Sequence, residues 1–183
     1  MKSGKEVRFF LARDGRKIVL RTPRWEDLDD LLDLINSLVA ERANIIRDKK
    51  VSREEEIDWL SGVIRRQEKD EVFFLVAEVD GRVVASSEIS RRLGGYDAHV
   101  GAIGIAIKNG FRNVGIGTEL MMALIEQGRV MGLKVLTLCA FEGNASAIHV
   151  YEKVGFEETG RIPRKFLKED KYLDEVIMTK FLE

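Results

Sequence analysis

The chain has 183 residues, 45% of them apolar and 33% charged, with a formal net charge of −1. This length suits one domain over 1–183 with a proper core, and the near-neutral balance argues against non-specific nucleic-acid binding. No apolar run approaches the ~20 residues of a membrane span, and Met1 to Lys5 lead into no signal-peptide-like stretch. The single Cys139 excludes an internal disulfide framework, so a cytoplasmic location is expected.

In chain order, Val7 to Leu11 and Lys17 to Arg21 read as strands around Asp14-Gly15, a hairpin signal. Trp25 to Glu41 carries Leu28, Leu31, Leu32, Ile35 and Leu38 at helical spacing. Ser52 and Glu55 form a capping box that opens a second helix. Val72 to Val79 and Arg82 to Arg91 form a second hairpin around Asp80-Gly81. Gly94-Gly95 then turns into a strand from Asp97 to Ile107. A helix from Thr118 to Met131 with Gly132 at its end, a strand from Leu133 to Ala140, and a helix capped by Asn144 and ended by Gly155 follow. Phe156 to Arg164 and Tyr172 to Leu182 complete a last strand pair. Cys139, Trp25, Trp59 and Met121-Met122 are expected in core or half-buried positions. No linker, repeat or low-complexity tract divides the chain.

The segment Arg112, Asn113, Val114, Gly115, Ile116, Gly117, Thr118 joins an apolar strand to a helix. Glycines there let the backbone approach an anion, and helix-start amides point at it. A Walker loop needs Lys-Ser or Lys-Thr after its last glycine, and Gly117 is followed by Thr118-Glu119. A dinucleotide fingerprint needs a third small residue where Leu120 stands. An Arg-x-x-Gly-x-Gly loop remains.

A second motif follows one strand later, with Asn144, Ala145, Ala147, Tyr151 and Gly155-Phe156. Together the two resemble the GNAT family of N-acetyltransferases, specifically over about 97–160 and in element order over about 16–182. The resemblance implies an α/β fold with a mixed, mostly antiparallel twisted sheet and helices on both faces. It implies transfer of acetyl from acetyl-coenzyme A to a primary amine of a small molecule or peptide. A protein lysine or N-terminal acetyltransferase, and a coenzyme-A-binding regulatory module without catalysis, are the alternatives. It further implies that Ile105 and Ile107 pair their backbone with the pantetheine arm, and that Arg112 and the amides of Asn113 to Thr118 hold the pyrophosphate. The family's frequent dimers imply a homodimer.

Tyr151 lies seven residues after Asn144, so the two share nearly one helix face. Tyr151 is the candidate acid for the leaving thiolate, and Asn144 the candidate to cap its helix and still reach the cofactor. Many relatives carry a glutamate early in the strand before the loop, and here Gly101 occupies that place. Glu88 and His99 are the substitute bases, with Glu142 behind them; read plainly, Glu88 is a solvated carboxylate at a strand end and His99 bonds locally. Without a strong base, an α-amine of pKa ~8 is easier to deprotonate than a lysine of pKa ~10.4. Glu41, Asp48, Tyr172, Asp174 and Glu175 are candidate acceptor-side groups. His99, His149 and Cys139 form no zinc spacing, so no metal is expected. Gly101 and Gly104 predict a bulge or close approach in their strand.

Overall fold

The structure, a computed structural model, describes residues 3–91 and 93–182. The reading made at Met1 and Lys2 lies outside them. Strands β1 (Glu6–Leu11) and β2 (Lys17–Arg21) form the first hairpin. A 3₁₀ turn at Trp25–Asp27 leads into α1 (Leu28–Ala40), and α2 (Arg53–Glu68) follows. The expected helix from Trp25 therefore starts three residues late. The cause is Asp27, whose carboxylate is gripped by the Arg21 guanidinium at 2.6 and 2.7 Å and by the Arg24 amide at 2.9 Å. The capping box of α2 is present: Ser52 Oγ accepts from Glu55 N, and Glu55 Oε2 accepts from Ser52 N.

Next come β3 (Val72–Val79), β4 (Arg82–Arg91), β5 (Val100–Ile107), α3 (Ile116–Val130), β6 (Val135–Phe141), α4 (Ala145–Lys153), β7 (Glu157–Lys168) and β8 (Lys171–Phe181). They form one eight-stranded sheet in the order β1-β2-β3-β4-β5-β6-β8-β7. All neighbours are antiparallel except β5 and β6. The α/β expectation with helices on both faces holds.

Strand β3 is apolar from Val72 to Ala77 because both of its faces are covered there. Phe73, Leu75 and Ala77 join the large core under α3 and α4, with Leu120, Leu124 and Leu136. Phe74 and Val76 join a second core under α1 and α2, with Leu31, Leu34 and Leu60. Two expectations need correction. Cys139 is exposed, because it alternates with Leu138 and Ala140 onto the sheet face of β6 that α1 and α2 do not reach. Trp25 is 49% exposed and Trp59 40%, the latter edge-on to Phe74 at 5.4 Å; both sit at the rim of the second core. Of the bulge or close approach expected in β5, there is no bulge against β4, since their register runs unbroken from Ala85–Ile107 to Arg91–Gly101.

The close approach is real. A Cβ on Gly101 would lie 2.7 Å from Leu133 Cδ1 and 2.8 Å from Ile89 Cγ2. A side chain at 101 would point into the large core, so this position has no room for a carboxylate. Gly101→Ala is expected to cost about 1–3 kcal/mol by overpacking. Thermal unfolding should record a Tm lower by about 3–10 °C.

Candidate active site

The loop between β5 and α3 is shaped by its backbone. Asn113 (φ 62) and Gly115 (φ 103) are both left-handed, a conformation Asn tolerates better than most residues and Gly adopts freely. A Cβ on Gly115 would meet nothing within 4 Å, so glycine is needed there for its angle. At Gly117 the reason is space, as a Cβ would sit 3.3 Å from Ile107 Cδ1. Gly115 is the N-cap of α3 and offers no side chain to the first-turn amides, which leaves them for an anion. The β1–β2 hairpin fixes the loop from behind. Arg13 N donates to Val114 O at 2.9 Å, Arg16 Nη2 donates to Gly110 O at 2.8 Å, and the Arg16 guanidinium lies 4.3 Å over the Phe111 ring.

Ahead of the loop the sheet opens. Strands β5 and β6 pair only at Val100–Val135, Gly101–Leu136 and Ala102–Thr137. Lys108 N donates to Val84 O. By strand alternation, Ile103, Ile105 and Ile107 turn their amides and carbonyls away from β4, toward the gap. A cavity of about 610 Å³ occupies this region, lined by Ile105, Ile107, Gly117, Thr118, Asn144 and Tyr151 among others. The segment after α1 covers its mouth. Lys168 Nζ donates to Asn44 Oδ1 at 2.8 Å, Arg42 pairs with Glu169 at 2.5 Å, and Arg112 pairs with Glu41.

The expected residues fall into two groups. Tyr151 is buried at 6% exposure, lines the cavity, and its hydroxyl has no hydrogen-bond partner among the described residues. Burial pushes its pKa up to about 12. Asn144 holds the N-cap position of α4, but its side chain makes no cap bond and faces the cavity instead. Arg112, Asn113, Gly115, Gly117 and Thr118 line the cavity as well. The Arg112 guanidinium is already engaged, donating to Ile107 O at 2.8 Å besides its pair with Glu41. The Ile116 side chain is wholly buried in the core, so only its backbone is left for a ligand, and Val114 packs against the same core.

The base candidates separate. Glu88 stands opposite Gly104, and its carboxylate leans onto that residue: a Cβ on Gly104 would be 3.8 Å from Glu88 Oε1. Burial raises its pKa, opposed by the nearby Arg66 charge. His99 is exposed before the first residue of β5, six positions and about 20 Å of strand from Ile105. The structure does not bring it to the cleft. Glu142 Oε1 accepts from Asp174 N at 3.0 Å, which commits it to holding β6 against β8. Of the acidic acceptor candidates only Glu41 lines the cavity. Asp174 accepts from Arg164 N, Glu175 is buried beside Cys139, Asp48 is exposed, and Tyr172 lies under Arg164. Among the described residues no group of three or more His, Cys, Asp or Glu is arranged to hold a metal.

A second cavity of about 160 Å³ lies between α1, α2 and the β4–β5 pair. It shares Leu38 and Ala106 with the larger one, so the two spaces abut beside Ile105 and Ile107. Glu56 and Arg47 line it, and neither was singled out in the sequence. The available signal was periodicity: Glu56, Leu60, Val63 and Gln67 are the buried face of α2.

Residues 31–156 match the Acetyltransferase (GNAT) family. The L-methionine sulfoximine/L-methionine sulfone acetyltransferase of Pseudomonas aeruginosa is 34% identical over 74 residues, 40% of this chain and 43% of that enzyme. The chain thus spans less than half the length of that relative. The L-amino acid N-acetyltransferase AaaT of Escherichia coli is 33% identical over 107 residues, 58% of this chain and 66% of that protein. Among solved structures, a ribosomal-protein-alanine N-acetyltransferase from Brucella melitensis superposes with a TM-score of 0.79 at 29% identity, covering 89% of this chain and 99% of that one.

A raised Glu88 pKa has a stability consequence of definite sign. The folded state disfavours the carboxylate, so its stability is highest while Glu88 is protonated and falls as pH rises through the folded pKa. Glu88→Gln should therefore raise Tm at pH 7, and the gain should vanish below the ordinary carboxylate range. Thermal unfolding at pH 7 and at acid pH measures both.

Proposed function

The chain belongs to the GNAT acetyltransferase family, and on that premise we propose that it transfers acetyl from acetyl-coenzyme A to the primary amine of a small molecule. The observation that carries this reading is the pair of abutting cavities. One has an anion-binding loop at its end and open strand edges along its length, and the other is a small chamber. The larger cavity fits the donor. Its volume is in the range of cofactor sites, Gly115 and Gly117 leave the loop backbone bare, and Ile105, with the amide of Ile107, presents backbone groups free of β6 for an extended amide-bearing arm.

Acetyl-coenzyme A supplies an acetyl group activated as a thioester. The chain supplies position and proton management. The amides of Gly115 to Thr118 hold the pyrophosphate, with Arg112 beside them once it turns from Glu41. The Ile105 amide, facing the gap, polarises the thioester carbonyl. Glu88 takes the proton that the amine loses, directly or across one water, and its raised pKa makes it a better base than a solvent-exposed carboxylate. Tyr151 donates to the leaving thiolate. With a pKa of about 12 against ~8.5 for a thiol, it contributes a hydrogen bond rather than a complete proton transfer. His99 has no role in this reading. Tyr151 on the wall of the larger cavity favours a catalyst over a regulatory module, and a chamber of about 160 Å³ favours a small acceptor over a protein segment. Among the described residues no helix is long and apolar enough to cross a membrane, and we place the activity in the cytoplasm.

Thiol release from acetyl-coenzyme A, measured against a panel of amino acids, polyamines, aminoglycosides and peptides, tests the function. Amine-dependent release supports it. Tight binding without release to any amine overturns it. Tyr151→Phe should lower kcat by about 10- to 100-fold with little change in KM. Wild-type turnover in that variant would remove Tyr151 from the mechanism.

A further inference from the structure

The smaller cavity is apolar for most of its wall, through Leu31, Leu34, Ile35, Leu38, Val51 and Trp59. Into it projects one group that such a wall does not explain. Glu56 is 5% exposed and lies in the first turn of α2. Its carboxylate has no hydrogen-bond or ion partner among the described residues. Its oxygens are not sealed in protein and open to the chamber, so a ligand there can reach a carboxylate that no protein group satisfies. Glu55, next to it, is committed to the capping box. The one opposing charge on the cavity is Arg47, close enough to act on Glu56 electrostatically but not paired with it. Its guanidinium makes no hydrogen bond or ion pair among the described residues.

A carboxylate and a guanidinium that face one small chamber without touching each other are complementary to a zwitterion. At ~30 Å³ per water, about 160 Å³ holds some five waters, the scale of one amino acid. We propose that this chamber binds a free α-amino acid with an apolar side chain, its ammonium on Glu56 and its carboxylate on Arg47. The side chain packs against Trp59 and the leucines of α1. The amine is thereby held in the chamber that adjoins the larger cavity at Ala106. This rests on the transferase reading and narrows its acceptor: diamines and peptide N-termini lack the α-carboxylate and are poor fits.

The test compares L-leucine, L-leucinamide and isoamylamine, which share a side chain and differ at the carboxylate. Wild-type kcat/KM should favour L-leucine by at least about tenfold, the scale of one charge-assisted contact. Arg47→Gln should erase that preference by weakening L-leucine alone. Glu56→Gln should raise the KM for L-leucine about tenfold while kcat holds, whereas Glu88→Gln should lower kcat while KM holds. The proposal is overturned if L-leucinamide matches L-leucine, if Arg47→Gln weakens all three equally, or if Glu56→Gln lowers kcat at constant KM, which would make Glu56 the base. Calorimetry of L-leucine binding to the acetyl-coenzyme-A-loaded protein and to its Arg47→Gln form gives a readout independent of turnover. If no amine releases thiol, the transferase reading falls, and Arg47-dependent L-leucine binding still decides this one.

Discussion

Everything at this site depends on β5 and β6 parting after three residue pairs. The residues along β5 account for it. At the closed end Gly101 has no side chain, and Leu133, Leu136 and Ile89 crowd into the space a Cβ would take. Beyond Ala102 the same face carries Ile103, Ile105 and Ile107, which pack against the core together with Ala147 and Val150 of α4. A small-to-large gradient along one strand thus opens the sheet where its backbone groups are most useful. Unpaired strand edges inside a protein are costly unless something bonds to them.

The gap also sorts the titrating groups onto opposite faces. Tyr151 approaches from the α3–α4 side, whereas Glu88 lies on the face covered by α1 and α2. Burial raises both pKa values, with opposite usefulness. It makes the carboxylate a stronger base and the phenol a weaker acid. In the proposed transfer, this difference favours taking a proton from the amine over giving one to the thiolate. That suits a reaction whose nucleophile arrives protonated and whose leaving group is already a tolerable anion at neutral pH.

Local signals were legible where local chemistry decides. Strands β2, β3 and β4 have the bounds read from their turn residues, and Ser52–Glu55 caps as spaced. The loop at 112–118 lies at the head of α3 with the left-handed angles its Asn and Gly suit. What was hidden depends on which helix covers which strand. Cys139 lies in an apolar strand yet faces solvent because α1 and α2 stop short of β6. Gly101 reads as a missing carboxylate in alignment, yet its side faces the core, and Glu88 stands on the neighbouring strand against Gly104. Glu56 sat among three consecutive glutamates, and only the buried face of α2 distinguishes it from the solvated pair.

The cover over the larger cavity is fastened differently from the floor beneath it. Lys168 to Asn44, Arg42 to Glu169 and Arg112 to Glu41 are polar or ionic contacts near solvent, whereas the floor is packed isoleucine and leucine. Ion pairs of this kind contribute about 0–1 kcal/mol each and are screened over ~8 Å at physiological salt. Ionic strength therefore loosens the contacts of the cover, while salt does not touch the packing of the floor. Cover and floor are thus held by separate physical forces, so either can change without disturbing the other.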